Sequence, residues 1–187
     1  MLKSITVFCG SASTCPEIYA DVATKVGQTI ARQGRKLVYG GGNRGLMGKV
    51  AVAAQAEKGY VIGVNVKRFS ANTKYLLDVD EYIVTETMQE RKVTLIDKGE
   101  ASIAIPGGVG TFDELTEIYS LAQLGMVDKP FGILNVDHYF DGFLMQMERA
   151  HQDNFLKEKD YQRLIVDEDI ESLLARLDAA AEEKENA

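Results

Sequence analysis

Six short, unbroken apolar runs, rich in β-branched and aromatic residues, alternate along this chain with segments of helical periodicity. The runs occupy residues 4–10, 36–41, 60–66, 81–86, 101–107 and 131–136, as in "SITVFCG" and "YVIGVNV". A strand with one wet face alternates apolar and polar residues, so continuous runs predict strands covered on both faces. Helices are expected over 16–33, 46–58, 88–98, 112–124 and 139–152, with Pro16 in a first turn and Gly34, Gly59, Gly99 and Gly125 at C-caps. Strand–helix alternation predicts an α/β fold, a doubly wound parallel sheet with right-handed crossovers and helices on both faces. "RLIVDED" adds a short strand, and "DIESLLARLDAAAEE" a terminal helix ending in a frayed charged tail. Residues 1–187 read as one domain, with neither repeat nor linker.

In such a sheet ligands bind at the carboxyl ends of the strands. Three loops fall there: "CGSAST" with Gly10 and Ser11, "GGGNRGLMG" with Gly41 and Gly42, and "PGGVGT" with Gly107, Gly108, Gly110 and Thr111. Each leads into a helix N-terminus, where backbone N–H groups and the helix dipole favour an anion. Gly40, Gly42 and Gly45 spell G-x-G-x-x-G, but the following strand ends "NVKR", without the acid that a nicotinamide site needs. A Walker A loop also fails, since Asn43 holds its first glycine position and Val50 replaces its hydroxyl. A phosphate cradle is the preferred reading over a plain tight turn.

Glu114 poses a sharper choice. Thr111-x-x-Glu114 is a capping box if Thr111 is the N-cap, and the glutamate then closes only a backbone hydrogen bond. Ile118 and Leu121 at i+4 and i+7 place it on the buried side, where a carboxylate beside an anion loop is suited to catalysis. In "ETMQERKVTLIDKG", Met88, Leu95 and Ile96 form an apolar stripe whose i+3 and i+4 members are Arg91 and Lys92. Cations facing inward need an anion to meet them. For Lys92, pairing with a structural carboxylate stands level with a functional role.

The remaining composition excludes several classes. A net charge of -7 without a long basic run argues against nucleic acid or an anionic membrane as partner, and a small-molecule ligand is expected instead. No run reaches the roughly 20 apolar residues of a membrane span, and the N-terminal stretch is too short for a signal peptide. Cys9 and Cys15 match neither a zinc site nor a disulfide framework, so a cytoplasmic location is expected. His138 and His151 have no metal-binding spacing, and Ser11 and Ser13 lack a nucleophile-elbow setting, so neither a metal nor serine chemistry is expected.

Taken in order, "VFCGS", "LVYGGGNRGLMG", "MQERK" and "PGGVGTFDEL" resemble the Lonely Guy (LOG) family of cytokinin-activating phosphoribohydrolases, also described as lysine decarboxylase-like. The resemblance runs from about Ile5 to Val136. It implies a Rossmann-like fold, a homodimer, no cofactor, and hydrolysis of the N-glycosidic bond of a nucleoside 5'-monophosphate. It places the catalytic residues at Arg91 and Glu114. Substrate-binding positions fall on Gly10, Ser11, Gly41, Gly42, Met88, Lys92, Gly107, Gly108, Gly110 and Thr111. The chain departs from the family in "VNVKRFSANTKYLL", without the usual Ile-Pro turn and following glutamate, and in the lead-in "DKGEASIAIPGG". Lysine decarboxylation would require a pyridoxal phosphate site, and no such residue set is recognisable.

Overall fold

The computed structural model describes residues 1–70 and 78–185. Residues 71–77, which carry much of the departure after the third strand, and 186–187 at the tail lie outside the described residues. In chain order the elements are β1 (Ser4–Phe8), α1 (Glu17–Arg32), β2 (Lys36–Tyr39), α2 (Gly45–Ala56), β3 (Val61–Val66) and a short α3 (Lys67–Ser70). Then follow β4 (Glu81–Thr85), α4 (Met88–Lys98), β5 (Ala101–Ala104), α5 (Val109–Gln123) and β6 (Phe131–Leu134). A 3-10 turn (Val136–His138), α6 (Asp141–Gln152), α7 (Glu158–Tyr161), β7 (Leu164–Asp167) and α8 (Ile170–Glu185) complete the chain.

The seven strands form one parallel sheet in the order β4-β3-β2-β1-β5-β6-β7. The expected architecture is therefore present, including the short strand in "RLIVDED". Each face of the sheet has its own core. On one, Ile5, Val7, Leu37 and Ile103 meet Val26 and Ile30 of α1, Val50 and Ala54 of α2, and Leu173 and Leu177 of α8. On the other, Phe8, Val38, Val64 and Ile133 meet Leu95 of α4, Leu115 and Ile118 of α5, and Phe143 and Met147 of α6. Successive strand residues point to opposite faces, which is why continuous apolar runs were needed.

Several local expectations change. Gly34 and Gly125 take the left-handed conformation just beyond α1 and α5, as a C-cap glycine should. After α2 it is Lys58, not Gly59, that has positive φ, and Gly99 is extended. These two glycines serve close approach instead: a Cβ on Gly59 would meet Ala31 Cβ at 2.5 Å, and one on Gly99 would meet Thr6 Oγ1 at 2.2 Å. The larger correction concerns α5. It begins at Val109 with Gly108 as N-cap, so Thr111 is the third helical residue and Glu114 the sixth. No Thr111–Glu114 capping box exists. A capping box is present instead at Thr87–Glu90, at the start of α4.

Order along the sheet sets what the loops can share. The order reverses at the β1/β5 boundary, so their loops diverge from adjacent strands and open a crevice. α4 leaves the edge strand β4 and must reach β5 beyond β1. It therefore passes beneath β3, β2 and β1, and packs against all three.

Candidate active site

The carboxyl ends of β1, β2, β3 and β5 surround a cavity of about 1000 Å³. Its walls include Gly10 and Ser11 after β1, Gly42 after β2, Met88 at the start of α4, and Gly107, Gly108, Gly110 and Thr111 around the start of α5. The N-termini of α2, α4 and α5 all open onto it. Among the described lining residues the charged ones are Arg44, Arg68, Arg91 and Glu114, so an acidic protein presents a predominantly cationic pocket. This suits an anionic ligand.

Arg91 and Glu114 meet at the floor. Their side chains are 9% and 12% exposed, and Arg91 Nη1 lies 2.9 Å from Glu114 Oε1. Arg91 also donates from Nε to Val64 O at 3.0 Å and from Nη2 to Gly40 O at 3.1 Å. The guanidinium thus ties β3, the loop after β2 and α5 to one point. A Cβ on Gly40 would sit 2.3 Å from Arg91 Nη2 and would displace the guanidinium from this position. Glu114 is held through one oxygen, and Oε2 has no hydrogen bond among the described residues. Burial raises the Glu114 carboxyl above its ordinary range, against the opposing pull of Arg91. Cys9 lies on the same floor, its thiol pushed up by burial and by the neighbouring Glu114 charge, so it is neutral and unreactive.

Thr111 is 2% exposed and lines the cavity, yet its hydroxyl has no hydrogen-bond partner among the described residues. The oxygen is itself enclosed close to Gly107, so it supports the loop from behind and is not open to the cavity. Close packing fixes the loop around it. A Cβ on Gly107 would meet Thr111 Oγ1 at 2.0 Å and Gly10 N at 2.7 Å, whereas one on Gly110 would meet nothing within 4 Å. Gly107→Ala is accordingly expected to cost about 1–3 kcal/mol by overpacking. Gly110→Ala, inside the helix, should gain up to about 1 kcal/mol. Urea denaturation midpoints of the two variants check this contrast, and equal shifts would refute it.

Two expected site residues are elsewhere. Lys92 does not line the cavity; Nζ lies 3.1 Å from Asp113 Oδ1 and 2.8 Å from Glu117 Oε2, which joins α4 to α5. The hydrogen bond that it donates to Glu117 is the main reason its ammonium is raised above the usual lysine range. The structural reading of Lys92 therefore accounts for it, because the carboxylates that satisfy it stand on the outward side of α5. Gly41 also lies behind the wall. Its positive φ of 73° makes the turn, and its carbonyl accepts from Tyr82 Oη. Gly45 has a packing role as well, since a Cβ there would meet Ala12 O at 2.4 Å.

The structure adds lining residues that sequence reasoning missed: Tyr19, Arg68, Phe69 and Tyr139. Tyr139 follows β6, which neighbours β5, so the sheet order alone carries it to the cavity. Arg68 and Phe69 come from the departure after β3. The available signal was that "NVKR" ends a strand at the ligand-binding edge. No group of three or more potential metal ligands occurs among the described residues.

Residues 47–177 match a family model described as "Possible lysine decarboxylase". The chain is 37% identical to the cytokinin riboside 5'-monophosphate phosphoribohydrolase LOG5 of Arabidopsis thaliana, covering 95% of this chain and 78% of that protein. It is also 37% identical to the cytokinin riboside 5'-monophosphate phosphoribohydrolase of Mycobacterium marinum, covering 91% of each. The chain belongs to the LOG family. The molybdenum cofactor binding protein of Rippkaea orientalis superposes with a TM-score of 0.73 at 24% identity, over 96% of this chain and 97% of that one. Such a likeness concerns the fold alone. The decarboxylase description does not fit the LOG-family site found here, because pyridoxal phosphate chemistry needs a Schiff-base lysine and no lysine lines the cavity among the described residues.

Proposed function

We propose that this protein hydrolyses the N-glycosidic bond of an adenosine 5'-monophosphate, plain or N6-prenylated, to free base and ribose 5-phosphate without a cofactor. The observation that carries this reading is the buried Glu114, pinned by Arg91 through one oxygen, as the sole acid among the described residues of a cationic cavity. The phosphate belongs on the first turn of α5, against the open amides after Gly108. The names of its relatives at 37% identity support the same reaction.

Cleavage of the bond leaves positive charge on the ribose, in an oxocarbenium-like transition state. The Glu114 carboxylate stabilises that charge and removes the proton from the attacking water. The water oxygen bonds to C1' and the electron pair of the broken bond departs with the base, which takes up a proton. Arg91 uses three of its five N–H groups on the protein. Its main work is therefore to orient Glu114 and to favour its ionised form against the effect of burial, with the two remaining N–H groups available to the substrate.

A pure nucleotide or molybdenum-cofactor carrier of this fold would need the cradle but not the buried carboxylate. Incubation with AMP and with an N6-prenylated AMP, followed by an assay for ribose 5-phosphate, decides between them. Release from either supports hydrolysis; tight nucleotide binding with no release from both sinks it. A homodimer is part of the proposal, since Leu124 and Met126 stand 69% and 70% exposed at the end of α5 and a second copy can cover them. Cytoplasmic residence fits the two free thiols of Cys9 and Cys15. Among the described residues no helix is long and apolar enough to cross a membrane.

A further inference from the structure

The hydroxyl of Tyr139 donates a hydrogen bond to the carbonyl of Gly107. We propose that Tyr139 is a positioning residue that locks the peptide unit between Gly107 and Gly108, and thereby aims the Gly108 N–H at the substrate phosphate. The proposal deepens the hydrolase reading and rests on it for the identity of the anion.

A trans peptide is planar, with its C=O and N–H directed to opposite sides. Holding the Gly107 oxygen on one side therefore fixes the Gly108 N–H on the other. The preceding unit is already fixed, because Pro106 O accepts from Gly10 N at 3.1 Å. The following one is fixed by the helix, since Gly108 O accepts from Thr111 N and Phe112 N. Between them, no hydrogen bond other than that of Tyr139 holds the Gly107–Gly108 unit among the described residues. Steric restraint is also missing on one side: a Cβ on Gly108 would meet nothing within 4 Å. Two glycines flanking a peptide let it rotate through a half-turn with little hindrance, and that rotation would present the phosphate with a carbonyl oxygen.

The chain invests local strain in placing this hydroxyl. Asp137 and His138, both bearing side chains, are left-handed with φ of 51° and 57°. Conformations of this kind persist where surrounding structure over-determines them, and they cluster at functional sites. Here Asn135 supplies the restraint. Its Oδ1 accepts from Phe140 N, and its Nδ2 donates to Asp141 Oδ1, both at 2.8 Å. The Tyr139 ring is then wedged edge-on against Tyr19 at 5.3 Å and Phe140 at 5.1 Å. A tyrosine needed only for packing would not require its hydroxyl on the anion loop.

Tyr139→Phe tests this, because it removes the oxygen and retains both ring contacts. For the 5'-monophosphate, KM is expected to rise about tenfold with kcat within about twofold, a loss near 1.4 kcal/mol. The Kd for ribose 5-phosphate, measured calorimetrically, should rise by the same factor, while the Kd for the free nucleoside and the melting temperature stay unchanged. Unchanged ribose 5-phosphate affinity overturns the proposal, as does an equal weakening of nucleoside and ribose 5-phosphate. If the wild type shows no turnover at all, the hydrolase reading fails, yet the ribose 5-phosphate comparison still decides the role of Tyr139.

Discussion

Glu114→Gln is expected to lower kcat by about 10³-fold or more, the scale of removing a carboxylate that acts on both the proton and the transition-state charge. The amide can still accept from Arg91 Nη1, where Glu114 Oε1 now lies at 2.9 Å, so the fold survives with a loss of about 1–3 kcal/mol. The variant also reports the state of the carboxyl. Burial raises Glu114 above its ordinary value of 4.5, so the folded protein holds this proton to a higher pH than the unfolded chain. Stability from this group is fully present below the unfolded value and is lost as pH rises through the raised folded value. Wild-type stability relative to Glu114→Gln should therefore fall with rising pH across that window, as read from urea midpoints at several pH values. The acidic limb of kcat/KM should likewise lie above the usual carboxylate range. A pH-independent difference together with residual turnover near the wild-type rate would show that Glu114 is a structural residue.

Arg91→Met carries the second large effect. It strips a donor from Val64 O and Gly40 O and leaves Glu114 buried without its counter-ion. Breaking a buried pair from one side costs about 3–5 kcal/mol. Without the guanidinium, which at present opposes the effect of burial, the Glu114 carboxyl moves further up. The acidic limb of the residual kcat/KM should then shift to higher pH. Arg91→Lys restores the charge but cannot bridge three acceptors. It should return the limb toward its original place while leaving kcat/KM at least about 10²-fold down through misplacement of Glu114. Calorimetric melting and pH–rate profiles of both variants check this. A variant Arg91→Met as stable as wild type with an unmoved limb would overturn it.

Much of the site was legible because its signals are local. Three glycine loops at predicted strand ends do line one cavity, and Arg91 is buried where its apolar stripe lacked a leucine. The reading of Thr111 as an N-cap failed because α5 begins three residues earlier than expected, with Val109, Gly110 and Thr111 already helical and no side-chain cap at Gly108. The Thr-x-x-Glu spacing was real, but the frame was not. Lys92 shows a different limit. Whether an inward cation meets a ligand or a carboxylate depends on which face of α5 opposes α4, and Asp113 and Glu117 stand there.

The sequence alone determined the all-parallel sheet, the two buried faces and the residues able to bind an anion, since these follow from period, continuity and glycine placement along short segments. Tertiary structure alone decided which of those residues meet. The order β4-β3-β2-β1-β5-β6-β7 sends α4 under the sheet to bring Arg91 to Glu114, and sets the loop after β6 beside the glycine loop after β5. Strand order is a property of contacts between distant segments, and the period of any one segment carries no information about it.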